Sequence, residues 1–261
     1  MTILDETNRV IDHILFIGDT HGDNINIPHH VEKQTKIPQQ EPKALIHVGD
    51  FGVGFQSYDT EMHLLDTLNT KLIEHNTTMY VVRGNHDNPE WFNGEFVFSN
   101  LVFLKDHTVL EFQRMGQDID EIKRTKIYCN GGSISIDRSN RTEGRSYWKE
   151  EGFKELTPEQ LNEIPTDLDC IVTHNRPLGC HPTVYNSSVL RWCLRDDKLD
   201  EDLKQEQLSL KRMFDSIKER NDPRNNILHY FGHYHWSHKE RFGMIAHITL
   251  AKHEVAEFRN Y

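Results

Sequence analysis

No stretch of this chain approaches the roughly 18 consecutive apolar residues that a membrane-spanning helix needs, so a bilayer-embedded protein is not expected. Cysteine is scarce. The four present, Cys129, Cys170, Cys180 and Cys193, show no CxxC spacing, which excludes a disulfide framework or a zinc ribbon. Cys129 and Cys170 fall in apolar runs and read as buried thiols. Positive charge is also in deficit, with 30 Lys and Arg against 41 Asp and Glu and a formal net charge of −11. Duplex affinity rests largely on neutralising phosphates with basic side chains, so nucleic acid is not a favoured partner. Internal repeats and low-complexity tracts are absent. The opening residues MTILDETNRV carry neither a basic flank nor a long apolar stretch, so no leader peptide is expected. The chain reads as a soluble, cytoplasmic protein with reduced thiols.

What the chain does have is five short apolar runs that each end in candidate metal ligands. ILFI runs into Asp19 and His21, LIHV into Asp50, YVV into Asn85 and His86, CIV into His174, and LHYF into His233 and His235. A short, wholly apolar run is the pattern of a strand buried on both faces. In open α/β sheets, sites form just beyond the carboxyl ends of such strands. The expectation is one α/β domain over residues 1–261, with strands at 13–17, 44–48, 79–82, 101–104, 108–112, 127–129, 169–172, 227–231, 245–250 and 254–258. Helices are expected over 60–75 (Met62, Leu65, Leu68 and Leu72 at helical spacing), from a Thr157-Pro158-Glu159-Gln160 capping box, and over 200–219. Segments 22–43 and 114–126 are polar and read as surface loops. The long strand-free region 176–226 reads as a helical insertion.

The clusters point to a binuclear centre. Asp19 and His21 are two residues apart, as are His233 and His235; on a continuing strand both members of such a pair face the same way. Carboxylate oxygen with imidazole nitrogen suits manganese, iron or zinc, whereas magnesium prefers an all-oxygen set. Two divalent ions are therefore expected, manganese first, with iron, zinc or magnesium as alternatives. Asp50, a lone carboxylate, suits a bridging position. Asn85 offers a carbonyl oxygen without charge. The glycines before these ligands, Gly18, Gly49, Gly84 and Gly232, let the backbone approach closely.

In this order, GDTHGD, VGD, RGNHD, VTHNRP and FGHYH resemble the motifs of the calcineurin-like metallophosphoesterase superfamily over about residues 13–250. The resemblance implies a four-layer α/β/β/α sandwich with two ions at the strand ends. One ion would take Asp19, His21, Asp50 and His235, the other Asp50, Asn85, His174 and His233, and the catalytic histidine would be His86. It implies hydrolysis of phosphate mono- or diesters by a water activated between two ions. The chain departs from the GDxxDRG signature of the Ser/Thr phosphatase branch, because Val53 and Gly54 stand where that branch has Asp and Arg. Residues 131–151 instead resemble a segment of small bacterial and phage metallophosphoesterases.

That segment carries Arg138, Arg141 and Arg145 with Tyr147 and Trp148. Arginine's planar fork suits phosphate oxygens, so Arg141 is the first candidate phosphate clamp and Arg176, just after His174, the second. An ordinary charged loop with Trp148 anchored in the core is the structural alternative. Asp87 reads as a member of a structural ion pair. His47 and His229 read as core or ligand-orienting histidines, whereas His29, His30, His63, His75, His107, His181 and His238 read as solvent-facing or loop residues. A nuclease of the same superfamily is the alternative function, and a non-catalytic metal-binding scaffold is the alternative of another class.

Overall fold

The computed structural model describes residues 1–115, 121–183 and 186–259. Among the described residues twelve strands form two sheets, here numbered in chain order. The five-stranded sheet holds β2 (His13–Ile17), β3 (Lys43–His47), β4 (Thr77–Val81), β5 (Leu101–Phe103) and β12 (Val255–Glu257), in the order β12-β2-β3-β4-β5. The seven-stranded sheet holds β1 (Thr2–Ile11), β6 (Thr108–Met115), β7 (Ile122–Asn130), β8 (Cys170–Thr173), β9 (Ile227–Phe231), β10 (His238–Phe242) and β11 (Ile245–Thr249), in the order β1-β6-β7-β8-β9-β11-β10. The helices are α1 (Ile27–Thr35), α2 (Tyr58–Glu74), α3 (Pro158–Glu163), α4 (Ser187–Cys193) and α5 (Leu199–Arg220).

The apolar runs are explained by burial on both faces. In β2, Ile14 and Phe16 point into the core between the sheets, while Leu15 and Ile17 point the other way, against α1 and α2. The period of two along a strand divides one run between two cores. Between the sheets, Phe16 stacks on Tyr230 of the opposite sheet with ring centroids 3.8 Å apart. Outside the seven-stranded sheet, Tyr128, Ile171 and Ile227 pack against Leu210, Met213, Phe214 and Ile217 of α5. Three hydrophobic clusters thus separate four layers, α/β/β/α, as the sequence leads one to expect.

The parallel strands β2, β3 and β4, and likewise β7, β8 and β9, end on one side of their sheets. Those ends carry the candidate site. The capping box at α3 forms in full, with Thr157 N–H donating to Gln160 Oε1 at 2.9 Å and Gln160 N–H to Thr157 Oγ1 at 3.3 Å.

Four expectations need correction. The polar 22–43 segment contains α1, whose buried Ile27 and Val31 fall four apart beside Pro28 in the first turn. Part of 114–126 is strand: β6 and β7 pair as far as Met115 opposite Ile122, and residues 116–120 lie outside the described ones. The opening residues form β1, which runs parallel to β6. Finally, β10 is an additional edge strand, exposed at Lys239, Arg241 and Phe242, where no apolar alternation announces it.

Candidate metal centre

Seven side chains from five loops converge beyond the strand ends. The donor atoms of Asp19, His21, Asp50 and His235 lie within 4.8 Å of one another, and so do those of Asp50, His174 and His233. Asp50 belongs to both groups. Asn85 joins the second, its Oδ1 standing 3.2 Å from His174 Nε2 and 2.9 Å from His233 Nδ1. Every side chain proposed from the sequence for this centre is present in it.

The local backbone is unusual. His21, Asp50, His233 and His235 all have positive φ, at 48°, 56°, 69° and 56°. Left-handed conformations at non-glycine residues cost free energy and cluster at functional sites. They also correct the strand-periodicity argument. His21 and His235 reach their neighbours through tight turns past β2 and β9, not by continuing the strands. Two glycines are required by close approach: a Cβ on Gly232 would lie 2.0 Å from Asp19 Oδ1, and one on Gly84 2.3 Å from Asp50 Oδ1.

Hydrogen bonds aim the donor atoms. His174 Nδ1 lies 2.9 Å from the Val48 carbonyl. That carbonyl can only accept, so Nδ1 carries the proton and Nε2 faces Asp50 Oδ1 at 3.2 Å. Asn85 Nδ2 donates to Ser135 Oγ at 3.0 Å, which turns Oδ1 toward the two imidazoles. The His233 N–H donates to both oxygens of Asp19, at 3.1 and 3.0 Å. His47, fully buried, accepts from Gly49 N–H at Nδ1 and pairs with Thr20 Oγ1 at Nε2, so it braces two of these loops from behind. Such supporting contacts fix ligand orientation and tautomer.

The electrostatics fit a cation. Burial alone would raise Asp50, but the His174 ring beside it holds the carboxyl well below its ordinary value. Burial would lower His174, yet Asp50 outweighs it and lifts the imidazole to about 9. The pair therefore draws positive charge, which either a proton or a metal ion can supply. His21, pushed down to about 4 by burial, keeps a free lone pair, and its Nε2 stands only 2.8 Å from His235 Nε2. Asp19 Oδ2 is 3.1 Å from His235 Nε2 and 3.8 Å from His21 Nε2. Such close donor atoms need a shared cation, either the proton that the Asp19 hydrogen bond favours on His235 or a divalent ion with mixed oxygen and nitrogen ligands.

His86 lies at the rim of the centre, its ring 4.7 Å from that of His21. Arg141 Nη2 sits 2.9 Å from His86 Nε2, and Arg141 Nε pairs with Asp137 Oδ1 at 2.7 Å. Arg176 is buried at 3% exposure, donates weakly to Gln207 Oε1 and the Pro177 carbonyl, and lies over the Tyr234 ring at 5.4 Å. Both arginines line one cleft of about 680 Å³, together with the centre and with Ile136, Val189 and Trp192. Arg138 takes no part in it. Its guanidinium is tied to Asp196 and Asp202, each at 2.6 Å. Trp148 is 7% exposed and packs edge-on against Phe55, so it anchors its loop.

One sequence expectation is overturned here, and two histidines are placed more closely. Asp87 makes no ion pair among the described residues; it is buried and accepts backbone N–H groups from Gly52 and Gly84 at 2.7 Å and from Phe51 and Val53 at 3.3 Å. His107 is 6% exposed and pairs with Tyr128 and Glu163. His238 lies in β10.

Some supporting residues went unnoticed in the sequence. Glu206 accepts from Phe153 N–H at 2.8 Å and Asn175 Nδ2 at 2.6 Å, and Glu151 accepts from Ser135 N–H at 2.6 Å. Glu206 had a readable signal, since it falls on the apolar face of its helix between Leu203 and Leu210. Glu151 had none.

Among solved structures, a candidate 5'-nucleotidase from Staphylococcus aureus shares the fold with TM-score 0.50 and 16% identity, over 94% of this chain and 50% of that one. The present chain thus spans half the length of that relative. A phosphopantetheinyl hydrolase from Mycobacterium tuberculosis aligns with TM-score 0.47 and 14% identity, over 93% of this chain and 90% of that one. No curated protein sequence matches the chain. The sequence model of the calcineurin-like phosphoesterases matches residues 13–201, and the chain belongs to that family.

Proposed function

We propose that this chain is a binuclear metal-dependent phosphoesterase acting on small phosphate esters. The observation that carries this reading is the convergence of Asp19, His21, Asp50, Asn85, His174, His233 and His235 at one end of both sheets, with Asp50 shared between two donor groups. In it, Asp19, His21, Asp50 and His235 hold one ion, and Asp50, Asn85, His174 and His233 hold the other. Manganese is the first expectation for both. A single domain with α4 and α5 as its insertion, acting in the cytoplasm, completes the reading.

Two bound ions would polarise the phosphate and make an intervening water a competent nucleophile near neutral pH. The protein's own groups do the rest. Arginine can only donate, so His86 Nε2 accepts from Arg141, and a neutral His86 then carries its proton on Nδ1. That proton is the one available to a departing oxygen. Asp137 holds the guanidinium in place, leaving Arg141 to offer fixed positive charge to phosphate oxygens. Arg176 and the Tyr234 ring form a second cationic wall of the cleft.

The cleft also favours a class of substrate. Ile136, Pro182, Val189, Trp192 and Leu203 line it beside the charged groups and give it an apolar share. A phosphate joined to a compact apolar or planar group matches both, whereas a duplex would need an extended basic surface. The test compares p-nitrophenyl phosphate, bis(p-nitrophenyl) phosphate and a single-stranded oligonucleotide, each with manganese. Faster turnover of a small ester supports the proposal. Efficient cleavage of the oligonucleotide alone would replace it with the nuclease reading.

A further inference from the structure

Asp23, His30 and His253 form a second, separate cluster on the far side of the loop that carries Asp19. His30 Nε2 is 3.7 Å and His253 Nε2 3.8 Å from the same oxygen, Asp23 Oδ2. Both separations exceed hydrogen-bonding distance. They match the 3.8 and 3.7 Å from His21 Nε2 to Asp19 and Asp50 in the candidate metal centre. Ligand atoms at about 2.0–2.2 Å from one zinc ion stand about 3.3–3.6 Å apart at the tetrahedral angle, so a shift of a few tenths of an ångström would seat an ion.

Two observations independent of the spacing point the same way. His30 Nε2, the nitrogen that faces Asp23, is enclosed and has no hydrogen-bond partner among the described residues, although buried polar nitrogens are normally satisfied; His253 presents Nε2 to the same oxygen, and its enclosed Nδ1 is likewise unpartnered. The two rings stack with centroids 4.6 Å apart, which brings two imidazoles side by side against the same carboxylate. His253 is held there by a left-handed backbone at φ 59°.

The surroundings are those of a supported ligand set. The second oxygen of Asp23 accepts from Asn26 Nδ2 at 2.6 Å, which leaves Oδ2 free to face the imidazoles. His30 sits in the first turns of α1, a fixed platform. His253 is tied on both sides, its N–H donating to the Asp19 carbonyl at 3.1 Å and its own carbonyl accepting from Gln34 Nε2 at 2.6 Å.

We propose that Asp23, His30 and His253 bind a zinc ion distinct from the binuclear centre, with solvent completing its coordination. Two imidazoles and one carboxylate suit zinc, and cysteine is not needed. The ion clips α1 to the turn between β11 and β12, directly behind the backbone of Asp19. Its role is to brace that turn, so it is a structural site.

The test is metal content after equilibration of the full chain with zinc and removal of excess, comparing wild type with His30→Ala/His253→Ala. The wild type should retain one more zinc per chain than the double variant, three against two if the binuclear centre fills. One against none would support this site while refuting zinc occupancy of the other. Asp23→Asn, which preserves size, should lose the same single equivalent and guards against a misfolded double variant; circular dichroism checks each fold. Zinc should also slow hydrogen exchange at residues 252–255 in the wild type alone. Equal zinc content in wild type and both variants would overturn the proposal.

Discussion

Arg141 Nη2 lies 2.9 Å from His86 Nε2, so the catalytic histidine expected from the sequence is paired with a guanidinium instead of a carboxylate. Val53, at the position where the related Ser/Thr phosphatases carry an Asp, is fully buried. His86 is contacted here by the 137–141 segment, in which Asp137 pairs with Arg141 Nε at 2.7 Å.

Arg141→Lys should therefore be far from neutral. A lysine cannot reach His86, Asp137 and a phosphate in one planar fork. Loss of a hydrogen bond to a charged group is worth about 1.5–3 kcal/mol, roughly a 10- to 150-fold fall in kcat/KM. Steady-state kinetics on a small ester reads this directly, and a change under threefold would contradict the role assigned to Arg141.

Asp87→Ala should destabilise the protein strongly. It strands four backbone N–H donors on the two loops that present Asp50 and Asn85. At about 1–3 kcal/mol for each buried unsatisfied donor, and allowing for relaxation, the cost is about 3 kcal/mol or more. A fall in Tm of roughly 6–12 °C should follow, with Asp87→Asn intermediate.

Glu206→Ala should lower both stability and turnover. The carboxylate is 4% exposed and accepts from Phe153 N–H, Asn175 Nδ2, Ser133 Oγ and Ile134 N–H, tying α5 to the loops around the cleft. Removing it leaves buried donors unpaired, at about 3 kcal/mol. Thermal melts and kcat should fall together, with Glu206→Gln milder in both.

Glu151 makes stability depend on pH in an unusual direction. Burial pushes its carboxyl from the ordinary 4.5 up to about 7. The folded state thus holds a proton that the unfolded chain releases, and the contribution is full below about 4.5 and lost as pH rises through about 7. The 2.5-unit difference between 7 and 4.5 corresponds to about 3 kcal/mol at most. Glu151→Gln mimics the protonated form. It should melt higher than wild type at pH 8, with the gap closing near pH 5. A gap independent of pH would contradict this.

Much of the site was legible because its chemistry is local in sequence. Each donor follows an apolar run, and burial on both faces makes such a run readable without any knowledge of pairing. The layers were legible for the same reason. The misses were places where tertiary contacts decide. The β1 strand exists because β6 offers it an edge, and its own residues TILDETNRVI carry little apolar alternation. Asp87 could not be separated from an ion-pair residue by type, since its partners are backbone groups of another loop. Arg141 and Arg138 are alike in sequence and opposite in use: one faces the cleft, the other is bound to Asp196 and Asp202.

The most direct test of the central claim is hydrolysis of p-nitrophenyl phosphate by chelator-treated protein as manganese is restored, with Asp50→Asn in parallel. Asp50 bridges both donor groups, so its neutralisation should weaken both ions at once. The account predicts an inactive stripped protein, recovery with manganese, and a folded Asp50→Asn variant at least about 100-fold slower at the same manganese concentration. Full activity without metal, or an Asp50→Asn variant as active as wild type, would contradict it.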